Sequence, residues 1–175
     1  MIDINNAKGL NILADNAYHF EIANLPKFSL FAQTFELPGV SMGQYLRATP
    51  LSDYPEPGDK VTFNDLAVTF LVDEQLENYK EIWKWIMHLG YPQNTLEYKN
   101  LVEQKSPYTR KSDIRLNVLT NKFNISQAVI FLDAFPYSLS GIQFNSANPE
   151  VEHPVATANF VYSLYYFEGD QTFSL

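Results

Sequence analysis

The chain contains no cysteine, so no disulfide and no thiolate metal site can form within it. Such a composition fits synthesis in the cytoplasm. Long apolar runs are also missing, since no window approaches the ~18 uninterrupted apolar residues of a membrane span. The start, Met1-Ile2-Asp3-Ile4-Asn5-Asn6, lacks the basic residues and apolar stretch of a signal peptide. Basic residues are few: 12 Lys and Arg stand against 20 Asp and Glu, for a net charge of −8. That balance opposes non-specific phosphate binding, which needs clustered cations. Only Arg110, Lys111 and Arg115 approach a cluster, and Asp113 among them makes it read as a solvated loop.

Catalytic constellations are missing as well. His19, His88 and His153 lie far apart. There is no helical His pair with a glutamate, no Gly-x-Ser-x-Gly elbow, no phosphate loop and no Gly-x-Gly-x-x-Gly fingerprint. The carboxylates of Asp73-Glu74 and Glu77-Glu81 suit a helix start and a solvated helix face. No enzyme activity, cofactor or metal is expected. Asn124-Ile125-Ser126 matches a glycosylation acceptor, but it falls in a predicted hairpin of a chain without a secretory signal.

What the chain does have is aromatic side chains, 13 Phe, 11 Tyr and 2 Trp, which suit strands and interfaces. Its 175 residues suit one domain, with residues 1–14 as an N-terminal arm. Tyr18, Phe20 and Ile22 alternate with His19 and Glu21 as a strand, and a second strand is read with Phe31, Phe35 and Leu37 on one face. Val40 to Pro50 reads as an edge strand with a bulge or bend at Gly43. Asp53 to Lys60 reads as a rigid loop, because two prolines two apart cannot sit in a central strand. Val61 to Val72 returns to strand, with a phase shift at Asn64-Asp65.

One helix is expected over 74–89, with Asp73 as its N-cap, Leu76, Tyr79, Trp83 and Ile86 as its buried stripe and Ile82, Trp85 and Leu89 widening it. A shorter second helix is expected over 95–104. Residues 114–120 and 125–132 read as a hairpin ended by Phe135-Pro136, followed by a short strand over 137–144. A long last strand spans 155–167. The fold class is α+β and mostly β: a β-sandwich or barrel of seven or eight mainly antiparallel strands with one flanking helix.

Read in order, several segments resemble the tail-tube family of contractile-tailed bacteriophages. These are Phe35-Glu-Leu-Pro-Gly-Val40, Asp53-Tyr-Pro-Glu-Pro-Gly-Asp-Lys60, Val61-Thr-Phe-Asn-Asp-Leu-Ala-Val-Thr-Phe-Leu-Val-Asp-Glu74 and Asn78-Tyr-Lys-Glu-Ile-Trp-Lys-Trp85. The resemblance covers 18–90 well and the final strand more loosely. It implies a virion protein of the tail, assembled in the host cytoplasm, in which six copies form a ring. Their sheets join around a channel that DNA crosses without specific binding, and the neighbours are tube, sheath or baseplate proteins. Lys60 departs from the family's pattern, which has Arg after its Gly-Asp, and the Leu-Pro-Gly and Pro-Glu-Pro-Gly segments look closer to a minor ring than to the repeating tube subunit. Tube terminator or baseplate-side ring and major tube subunit therefore both stand.

Ten residues are singled out as subunit contacts. Asp53, Tyr54, Pro55, Pro57, Gly58, Asp59 and Lys60 form the projecting loop; Trp85, far round the helix from Trp83, either reaches the edge of a wide core stripe or anchors a subunit contact; Tyr165 and Phe167 end a strand with aromatics on both faces. The rivals from other classes are a monomeric carbohydrate-binding β-domain, whose surface aromatics would stack on sugars, and a hydrolase on a β-scaffold.

Overall fold

The computed structural model describes residues 18–22, 25–91, 109–120, 122–144 and 153–169, with positions 95, 99, 100 and 103 besides. The expected arm over 1–14 and most of the expected helix over 95–104 lie outside the described residues.

Alternation of apolar residues generates most of the strands: β1 (Tyr18–Ile22), β2 (Ala32–Phe35), β3 (Val40–Ala48), β4 (Asp53–Phe63), β5 (Leu66–Leu71), β6 (Ser112–Leu119), β7 (Ile125–Leu139), β8 (Val155–Val161) and β9 (Leu164–Phe167). Helices α1 (Pro26–Phe31) and α2 (Glu77–Gly90) lie between them among the described residues. One sheet runs β1-β6-β7-β8-β5-β2, with β9 also on β7, and β3 pairs only with β4. All pairings are antiparallel.

Strand β7 belongs to two halves of the sheet. Its first part pairs with β6, and Val129 to Leu132 pair with β9. Past Asp133, which sits at φ 58°, Phe135 to Leu139 pair with β8. The expected end at Phe135-Pro136 is thus a bend rather than a stop. Pro136 is accommodated beside a register shift, where one ladder bond is already given up. The long last strand is likewise broken, since β8 and β9 are separate and Ser163 between them donates to Leu132 O.

The core lies between the two halves. Phe28 of α1 joins them, with its ring 6.0 Å from Phe20, 4.8 Å from Phe70 and 6.0 Å from Phe160. The second strand read from the sequence is corrected here: residues 26–31 form α1, started by Pro26 and carrying Phe28 inward, and only Ala32–Phe35 are extended. The free edges β1 and β2 meet where Tyr18 donates to Gln33 O and stacks on Phe35 at 5.0 Å, so a side chain closes the seam between them.

Helix α2 packs into the core by most of the expected stripe: Leu76, Tyr79 and Ile86 lie against it, Ile82, Trp85 and Leu89 widen it, and the exception is Trp83. Asn78, Ile82 and Trp85 are buried, and Trp83 is 50% exposed. Asn78 organises the start of the helix. Its Nδ2 donates to Leu71 O at 2.6 Å, and its Oδ1 accepts from Asp73 N at 3.2 Å and Tyr79 N at 2.8 Å. This one side chain ties the end of β5 to the start of the helix, the task expected of Asp73. The helix accordingly begins at Glu77, after Leu76 at φ 57°.

Candidate assembly surface

Among the described residues, the hairpin β3–β4 gathers several exposed apolar side chains on one surface. Val40, Met42, Gln44, Leu46 and Ala48 alternate onto one face, opposite Phe63, Val61, Pro57, Pro55 and Asp53 of the partner strand. The other face is polar and internally bonded. Ser41 Oγ and Thr62 Oγ1 lie 2.7 Å apart, Tyr45 OH donates to Glu56 Oε2 at 2.9 Å, and Arg47 Nη1 reaches Glu56 Oε1 at 3.4 Å. On the apolar face Met42 is 56% and Leu46 65% exposed, and at the tip Leu51 is 98% exposed. A two-stranded hairpin is marginal in water unless something covers it, and contiguous exposed apolar side chains mark contact surfaces.

Its root is anchored by aromatics. Phe63 lies 6.0 Å from Tyr162 and 5.6 Å from Tyr165. Tyr162 OH donates to Asn64 O at 2.7 Å and Tyr165 OH to Pro38 O at 3.2 Å. Burial, and then the neighbouring Tyr165 and Asp65, push the Tyr162 hydroxyl up to about 12, so it remains a donor at neutral pH. A bulge interrupts the hairpin opposite Gly43, where the register shifts between Met42 and Gln44. A Cβ on Gly58 would stand 2.6 Å from Gly43 O, so only glycine fits that close approach.

The residues expected at subunit contacts fall into three places. Asp53, Tyr54, Pro55, Pro57, Gly58, Asp59 and Lys60 belong to β4 and not to a loop. The argument against a central strand holds, but β4 is an edge strand with one unpaired side, where proline is tolerated. Trp85 is corrected outright: it is 1% exposed, its Nε1 donates to Thr109 O at 2.7 Å, and its ring lies 6.5 Å from Phe160. A side chain so enclosed in its own core cannot anchor a neighbouring copy. Tyr165 is half-buried at the hairpin root, and Phe167, 6.1 Å from it, is partly exposed at the end of β9.

Sequence reasoning missed Met42, Leu46, Leu51 and Val61, although the alternation of Val40, Met42, Leu46 and Ala48 was there to be read. It also missed the exposure of Trp83 and the buried place of Asn78. Among the described residues, no group of three His, Cys, Asp or Glu could hold a metal, and no helix is long and apolar enough to cross a membrane.

Comparison with known proteins agrees with this architecture. A model of the family described as phage tail tube protein matches residues 4–168. The tail tube terminator protein of Enterobacteria phage T4 is 26% identical over 147 residues, covering 82% of this chain and 80% of its own. Among solved structures, the tube terminating cap of the anti-feeding prophage superposes with a TM-score of 0.61 at 13% identity, covering 91% of this chain and 92% of the cap protein. The sheath/tube terminator structure of an extracellular contractile injection system gives 0.58 at 10% identity, covering 91% and 99%. With the family match spanning nearly its whole length, this chain belongs to the phage tail tube protein family.

Proposed function

We propose that this chain is a non-enzymatic ring protein that terminates the tube of a contractile phage tail. The observation that carries the reading is the similarity to the T4 tail tube terminator, which extends over most of both chains. The whole of residues 1–175 acts as one tail-tube-like domain, with 1–14 as an arm toward a neighbour. Six copies close into a ring through heterologous contacts, one surface of each copy meeting a different surface of the next. The β3–β4 hairpin, with Asp53 to Lys60 on its second strand, supplies one of those surfaces, and Tyr165 and Phe167 lie at its base. DNA crosses the ring without specific binding, as suits a chain of net charge −8. The protein assembles in the host cytoplasm and resides in the virion tail beside tube and sheath proteins. A carbohydrate-binding module is set aside, because tail-tube family membership leaves nothing for it to explain.

The test is deletion of the gene followed by electron microscopy of the tails. Tubes of unregulated length or unjoined tails, restored by the supplied chain located as a ring at the tube end, are expected. Normal tails without the protein, or its location along the whole tube, would overturn the terminator reading.

A further inference from the structure

We infer that the six residues after Gly169, which lie outside the described residues, fold back onto their own chain and close the cavity at the end of β9, with Phe173 against Phe167. This goes beyond the ring reading and does not depend on it.

The cavity has a volume of about 420 Å³ and is lined by Gln127, Phe167, Glu168 and Gly169. It stands at the last rung of the β7–β9 ladder, where Phe167 lies opposite Val129. From Val129 the same row runs through Leu116 to Phe20, and all three are buried. Phe167 extends that core row but is 39% exposed. The next row holds Tyr18, Val118 and Gln127 and has no member from β9, because the chain turns at Glu168 and Gly169. The core is therefore open on one side, and it lacks one apolar group there.

The turn fixes the direction in which the chain leaves. Glu168 is held three times over. Its N–H donates to Ala128 O at 2.8 Å, its carbonyl accepts from Gln127 Nε2 at 2.6 Å, and its carboxylate pairs with Arg115. Gly169 follows at φ 98°, a conformation that residues with a side chain rarely adopt. A Cβ there would meet nothing within 4 Å, so glycine is needed for backbone direction and not for space. A chain that trailed from a strand end into water would require neither the three bonds nor the turn.

The six residues suit the place to which they are sent. In an extended chain Asp170, Thr172 and Ser174 share one side, and Gln171, Phe173 and Leu175 share the other. That alternation is the pattern of a half-buried strand. At about 3.3 Å per residue Phe173 reaches up to about 13 Å from Gly169, and Leu175 about 20 Å, enough to lie back across Phe167. Among the described residues β9 pairs only with β7, so no strand occupies its other edge. A ring against Phe167 also lengthens an existing aromatic run, in which Phe167 stands 6.1 Å from Tyr165 and Tyr165 5.4 Å from Phe131.

The absence of cysteine makes the test direct. Thr172→Cys, Phe173→Cys and Ser174→Cys are made singly in the full chain, and their rates of reaction with a small maleimide are compared. Phe173→Cys is expected to react at least about tenfold more slowly than either neighbour, as follows from burying one apolar side chain. The protection should be the same at every protein concentration. Equal rates at the three positions overturn the inference. Protection that vanishes on dilution gives the segment to a neighbouring copy and overturns it as well. The place is tested by repeating Phe173→Cys with Phe167→Ala and, separately, with Gly169→Ala, whose new methyl touches nothing. Circular dichroism and the thermal midpoint establish that each chain is folded. Each change is expected to speed the labelling by about fivefold or more, the first by removing the aromatic wall and the second by disfavouring the turn. An unchanged rate in folded Phe167→Ala puts the segment elsewhere, and an unchanged rate in Gly169→Ala removes the role of the turn; either overturns the inference. If Phe167→Ala does not fold, Gly169→Ala decides. All of these rates are read on the isolated chain, so their outcome is separate from that of the ring reading.

Discussion

In the body of the molecule, Phe28 is enclosed by Phe20, Phe70 and Phe160; in the β3–β4 hairpin, Met42 and Leu46 face solvent. Both regions are built from alternating apolar residues in antiparallel strands. They differ in what lies above them. The body supplies its own cover, through α1, α2 and the opposing half of the sheet, and closes its edges at Tyr18. The hairpin leaves the body at Phe63 and has cover only at its root. One region is therefore stabilised by the chain itself, while the other leaves apolar side chains exposed among the described residues.

That contrast makes the effects of substitution separable. Trp85→Ala should cost about 3–5 kcal/mol, because it empties the largest fully buried side-chain site. A denaturant midpoint equal to that of the wild type would refute the assignment of α2's buried stripe. Asn78→Ala should cost about 1–3 kcal/mol, since Leu71 O and Asp73 N lose their partner in a buried place. Hydrogen exchange should show the first turn of α2 opening before the rest, and uniform protection would argue against the tie between strand and helix.

Leu46→Asp should behave in the opposite way. Its folding stability should stay within about 0.5 kcal/mol of wild type, while attachment to tails should fall by about tenfold or more, as expected when a charge enters an apolar contact. Loss of folding would mean that the hairpin belongs to the body; full attachment would mean that its apolar face is not a contact. Trp83→Ala should have the smallest effect, within about 0.5 kcal/mol in stability, although it lies two residues from Trp85 on the same helix. A cost approaching that of Trp85→Ala would erase the distinction between them.

Much of the fold was legible in the residues. Alternation placed β1, β3, β5, β6 and most of β8, and the order of the segments from Phe35 to Trp85 pointed to the tail-tube family. The errors share a physical origin. Apolar periodicity places Leu76, Tyr79 and Ile86 on the core but equally admits Trp83, which is exposed, and it cannot reveal the buried polar Asn78. Pro55 and Pro57 exclude a central strand, and reading the segment as a loop overlooks that an edge strand accepts them. The continuous pattern over 155–167 concealed the break at Ser163, because a strand that passes from one half of a bent sheet to the other keeps its composition while its partners change.

The sequence by itself determined the β-rich class, the acidic balance, the absence of thiol chemistry and the positions of most strands, because each follows from local composition and a period of two. Only the tertiary structure decided which tryptophan is buried and that Asp53 to Lys60 is one strand of an exposed hairpin. Those outcomes depend on which residues from distant parts of the chain meet, and local pattern does not encode a partner.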